Sequence, residues 1–152
     1  MKRDFNLRFD VVELVGGGKN FLDNSKVTKF ILRGSNSLLS LNSMFKDSKY
    51  LHTVDGNIDL EGITDITSLF EGCVRLADAP VLIFRGEAVN MDKAFMNCEL
   101  LPTLKLENTT DLIFGSTNNT FEGCVSLDGV EFYGSTSKDS INMILDFFNP
   151  ED

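Results

Sequence analysis

Apolar residues in this chain return at a long, regular interval. Phe45, Phe70, Phe95 and Phe121 each open a seven-residue pattern of Phe, two variable residues, Cys or Ser, two variable residues, and Leu. It is completed by Ser48 and Leu51, Cys73 and Leu76, Cys98 and Leu101, and Cys124 and Leu127, and the Phe-to-Phe steps are 25, 25 and 26 residues. A period in this range marks a solenoid, whose units bury their apolar faces only against their neighbours. Other apolar sites keep the same interval. Leu41, Ile66 and Met91 stand four residues before their Phe. Val54 with Gly56, Ala79 with Val81, Leu104 with Leu106 and Val130 with Phe132 stand nine and eleven residues after it. Those pairs predict one short strand per unit with the named residues inward, and successive strands paired in a parallel sheet. Around each Phe the apolar residues lie three and four apart, as in Ile66, Leu69, Phe70 and Cys73, which predicts a helical turn on the opposite wall.

The two ends depart from this pattern. Phe5, Leu7, Phe9 and Val11 alternate with Asn6, Arg8 and Asp10 up to Gly16-Gly17-Gly18, and Val27 to Leu32 is a second apolar stretch. Both predict strands, and residues 1–36 are expected to form an N-terminal β cap. Ile141, Ile144, Leu145 and Phe148 fall on one helical face before Asn149-Pro150, so residues 135–152 are expected to form a helical cap over the open end of the stack. Two irregularities are foreseen between the caps. Thr117 stands where an apolar residue should precede Phe121, so 112–119 should loop or bulge. Pro80 falls between the inward Ala79 and Val81, where it would remove one ladder hydrogen bond.

Composition narrows the function. The chain has 152 residues, 42% of them hydrophobic, which suits one domain with a sizeable core. A net charge of −9 repels a phosphate backbone or an anionic bilayer, so neither nucleic acid nor membrane is expected as a partner. The charged N-terminal ten residues lack the apolar run of an export signal, and no apolar stretch approaches the length of a membrane span. Cytoplasmic synthesis is therefore expected. Cys73, Cys98 and Cys124 occupy one repeat slot, without the close pairs of a metal site and with His52 as the only histidine. They read as stacked, buried thiols, with Ser48 taking the slot at a more exposed end.

Leu101 to Leu106 reads Leu-x-x-Leu-x-Leu, the form of a leucine-rich-repeat strand. Together with Thr64 to Leu76 and Asn119 to Leu127, it resembles the BspA-like leucine-rich repeats over roughly residues 37–148. The fold so implied is an α/β solenoid, a short leucine-rich-repeat stack of about four units between the two caps, with 37–134 as the repeats and all of it one structural domain. Such families serve adhesion and recognition on bacterial surfaces, in some protists and in bacteriophage proteins. The resemblance implies no catalytic residue, cofactor or metal.

Individual candidates mostly have plain readings. Gly16-Gly17-Gly18-Lys19 lacks the spacing of a phosphate-binding loop and reads as a turn. His52 has no nucleophile or second histidine at a repeated offset. Asp55, Asp59, Glu61, Asp65, Asp78, Glu107 and Glu131 scatter over strand edges and turns as solvated charges. Asn108 and Asn118 head glycosylation sequons that an unexported chain would not use. The outward strand positions carry the better hypothesis, an interaction face of Asp55, Asp78, Leu82, Lys105, Glu131 and Tyr133. Leu82 and Tyr133 stand out, because Val81-Leu82-Ile83-Phe84 has no polar break and must turn a large apolar side chain outward, unless Leu82 packs under a loop.

The expected role is non-enzymatic recognition of a protein or glycan, in a phage virion or accessory protein or a bacterial surface module. The alternatives are a structural subunit that assembles through the solenoid edges, or a cytoplasmic inhibitor-type binding protein. Oligomeric state is left open by the sequence.

Overall fold

The computed structural model describes residues 6–9, 28–32, 41–108, 112–134 and 138–148. Its strands are β1 (Asn6–Phe9), β2 (Lys29–Leu32), β3 (Thr53–Asp55), β4 (Asn57–Asp59), β5 (Val81–Phe84), β6 (Thr103–Asn108) and β7 (Gly129–Gly134), followed by the helix α1 (Lys138–Phe148). Every pairing between them is parallel, in the orders β1-β2-β3 and β4-β5-β6-β7. The chain is a solenoid. The two N-terminal strands join it in register, Lys29 opposite Thr53 and Asn6 opposite Lys29, so they extend the ladder of the repeats. The glycine run at 16–18 lies outside the described residues.

The wall around the phenylalanines is not helical. Residues 42–47, 67–72, 92–97 and 118–123 form consecutive turns. Each turn segment holds two residues in the left-handed region: Ser43, Ser68, Lys93 and Asn119 at φ of 57, 59, 57 and 56°, and Asp47, Gly72, Asn97 and Gly123 at 60, 77, 62 and 79°. Left-handed residues break the α-helical path, and glycine, asparagine and aspartate tolerate them best. The freed amides bond across units instead. Ser43, Phe45 and Asp47 donate to the carbonyls of Thr67, Leu69 and Glu71 at 2.9, 3.0 and 2.7 Å, and the same three positions repeat this from the second unit to the third and from the third to the fourth. Spacing of three and four fits either structure, which is why the pattern alone predicted a helical turn.

Between turn wall and sheet the repeated side chains pile up in register. The Phe45 and Phe70 rings stack 5.2 Å apart at 4°, Phe70 and Phe95 at 5.5 Å and 28°, and Phe95 and Phe121 at 5.7 Å and 20°. Phe30 meets Phe45 edge-on at 5.1 Å, carrying the column back to β2. Such pairs contribute about 0.5–1.5 kcal/mol each beyond their buried area. The cysteine slot forms a second column, with the thiols of Cys73, Cys98 and Cys124 donating to the carbonyls of Phe45, Phe70 and Phe95 at 2.9, 3.2 and 2.9 Å. Ser48, expected at a more exposed end, is buried, and it is Cys124 at the other end that is half-exposed.

Both foreseen irregularities occur, with a consequence for the sheet. The inward residues are Val54 and Ile58, Ala79 and Leu82, and Leu104 and Leu106, so their separation shrinks from four to three to two along the stack. Gly56 (φ 112°) turns the chain between β3 and β4, and Pro80 sits between the Thr53–Asp78 bridge and β5, where no ladder bond is demanded of it. These extra residues overturn two expectations. Ile58 is inward where Gly56 was expected, and Leu82 where Val81 was expected. In the 112–119 segment Thr117 is exposed, and Thr120 is buried with its hydroxyl donating to the Met91 carbonyl at 2.8 Å.

The C-terminal end is thinly covered. Phe121, Leu127, Val130 and Phe132 are only partly buried, and of α1 Ile144 packs against the core. Ile141 and Leu145 remain 44% and 52% exposed, contrary to the expectation that they seal the stack, and the Phe148 side chain lies outside the described residues.

Candidate interaction face

Register along β3 to β7 sets which side chains of the sheet point outward. Strand alternation and register place Ile83 directly between Asp59 and Glu107, Glu107 beside Tyr133, Val81 beside Asn57, and Lys105 beside Glu131. Leu82 is fully buried between Ile58 and Leu106 and cannot contribute to this surface. The residue shift at Gly56 and Pro80 reverses which side of β5 faces out, so the partly exposed apolar residues are Val81 and Ile83.

Two ion pairs flank them, each spanning two neighbouring units. Arg85 clamps Asp59 through both of its carboxylate oxygens at 2.9 and 2.6 Å, and Lys105 reaches Asp78 at 2.5 Å. The Arg85 hydrogen bond holds the Asp59 carboxyl below the usual carboxylate range, and the Asp78 hydrogen bond raises Lys105. Tyr133 donates its hydroxyl to Glu131 at 2.6 Å, which pushes the phenol up. Exposed pairs of this kind add little to stability, so their effect is chiefly to hold long side chains in place and limit what can dock.

No family model matches this chain, and no curated protein or solved structure matches it either.

The predicted face residues sort clearly. Asp78, Lys105, Glu131 and Tyr133 lie together on β6, β7 and the bridge before β5, Asp55 is exposed at the end of β3, and Leu82 is in the core. Val81, Ile83 and Arg85 were missed as site residues, and Asp59 had been read as a solvated charge. A sequence signal for the last pair exists, since Asp59 and Arg85 lie 26 residues apart, one repeat length.

The remaining candidates serve the scaffold. His52 is exposed with its ring nitrogen beside the Thr53 hydroxyl at 3.0 Å, and its carbonyl accepts the amides of Ala77 and Asp78. Asp65 accepts the amide and hydroxyl of Thr67 and the side chain of Asn42. Asn108 is buried, and Asn118 is exposed and donates to Ser116. Among the described residues no group of three His, Cys, Asp or Glu is placed to hold a metal, and no helix is long and apolar enough to cross a membrane.

Proposed function

We propose that this chain is a non-enzymatic interaction module that recognises a protein partner through the outward face of its sheet. The carrying observation is the apolar pair Val81 and Ile83, turned away from the core between the Asp59–Arg85 and Asp78–Lys105 ion pairs. An apolar centre ringed by fixed charges is the anatomy of a protein interface, with affinity at the centre and selection at the rim. Hydrogen bonds on both walls of the stack hold this face in shape, so little ordering is needed on binding. The likeness of the repeats to BspA-like proteins supports recognition or adhesion work, in a phage virion or on a bacterial surface.

The test is comparative capture from bacterial lysate by the native chain and by Ile83→Glu and Tyr133→Ala, with thermal unfolding recorded for each. A partner retained by the native chain and lost with Ile83→Glu, at unchanged melting temperature, supports the face. Equal capture by all three rejects it. Glycan-array binding without any protein partner replaces a protein ligand with a carbohydrate one.

A further inference from the structure

Among the described residues β7 is the last strand of its sheet, paired with β6 on one side only. In each earlier unit the strand is covered by the next one. Val54 donates its amide to the Asp78 carbonyl of the following unit at 2.9 Å. Val130 occupies the position of Val54, nine residues after its Phe, and no strand follows β7 among the described residues. Helix α1 sets Ile144 against the core, yet among the described residues β7 has a strand partner, β6, on one side only. Val130 and Phe132 are consequently left partly exposed at the end of the core.

The surroundings define what would fit there. Along the outward face, successive units carry Asp78, Lys105 and Glu131, so the charge alternates from unit to unit. A strand added beyond β7 would continue the alternation with Lys or Arg opposite Glu131. Its inward residues would be apolar and would complete the cover of Val130 and Phe132. The last unit and α1 expose Glu122, Asp128, Glu131, Asp139 and Asp146 against the single cation Lys138. A second copy of this chain, at −9, would bring like charge to that end.

We infer that the β7 edge receives an extended segment of another protein, one that alternates apolar and basic residues, as an additional parallel strand. Backbone hydrogen bonds to Val130 and Phe132 supply affinity, and Glu131 selects the basic side chains. This site is separate from the outward apolar pair.

The probe is a fluorescent octapeptide of alternating Val and Lys, measured by anisotropy at low salt against its Val/Glu counterpart and a Val/Lys version N-methylated at alternate amides. The Val/Lys peptide should bind about tenfold or more tightly than either control. Glu131→Lys should reverse the preference toward Val/Glu, and Ile83→Glu should leave it unchanged, which separates this edge from the outward face. Absence of Val/Lys binding, equal binding of the N-methylated peptide, or an unchanged preference in Glu131→Lys overturns the proposal. A concentration-dependent dimer in sedimentation velocity that excludes the peptide also overturns it and assigns the edge to a second copy.

Discussion

The Cys98 thiol donates to the Phe70 carbonyl one unit away at 3.2 Å, and so ties the sulfur column to the backbone of the aromatic column. Cys73 with Phe45 and Cys124 with Phe95 repeat the contact on either side. A small side chain with a weak donor fits this slot, because it fills the space beside stacked rings and satisfies a buried carbonyl at once.

Stability should fall steeply in alkali because of this column. Burial pushes the Cys73 thiol from 9.0 to about 12 and the Cys124 thiol to about 11, and raises Cys98 as well. The unfolded chain releases these protons near pH 9 and the folded chain retains them, so the unfolded state binds fewer protons between the two values. The thiol contribution is intact below pH 9 and then declines by about 1.4 kcal/mol per pH unit for each fully buried thiol. Urea unfolding at pH 8, 10 and 11 should show a shallower loss for Cys73→Ser than for the native chain. Parallel curves would sink this account.

Truncation of the aromatic column should cost more at its centre than at its end. Phe70 is fully buried between two stacked rings, and Phe121, in the last unit, is only half-buried. Phe70→Ala should destabilise by about 3–5 kcal/mol and Phe121→Ala by distinctly less, measured by denaturant midpoint at constant slope.

Left-handed positions offer a second test, of opposite sign. Lys93 is exposed at φ 57°, a conformation that costs an L-residue about 1–2 kcal/mol, so Lys93→Gly should stabilise by about 0.5 kcal/mol after the added chain entropy. Gly72→Ala should do the reverse. Its φ is 77°, and a methyl there would collide with the Asp47 side chain of the preceding unit, so Asp47→Gly should recover part of the loss in a double mutant.

Adjacent residues on β5 should behave as opposites. Leu82→Ala should lower stability by about 2–5 kcal/mol, because Leu82 fills the core between Ile58 and Leu106. Ile83→Ala, on the outward side, should shift the melting point by much less. Equal losses would mean that the register of β5 differs from that described.

Much of the scaffold was legible in the sequence, and the reason is visible at Phe45, Phe70 and Phe95. A large side chain recurring at one period must stack on its equivalents, since no single unit can bury it. The thiol column, the parallel strands and α1 follow similarly from repeat position and periodicity. The face was less legible. Asp78, Lys105, Glu131 and Tyr133 could be placed outward from alternation, whereas Val81, Leu82 and Ile83 form an unbroken apolar run with no polar residue to mark its parity.

The chain by itself thus determined that the molecule is a stack, how long each unit is, and which Phe, Cys and Leu positions fill its interior. Tertiary structure alone decided that the Phe wall is a ladder of turns rather than helical, and that Leu82 faces in while Ile83 faces out. The physical reason is common to both. A side chain's direction depends on how many residues separate it from the last turn, and Gly56 and Pro80 change that number only in concert with the hydrogen bonds offered by neighbouring units.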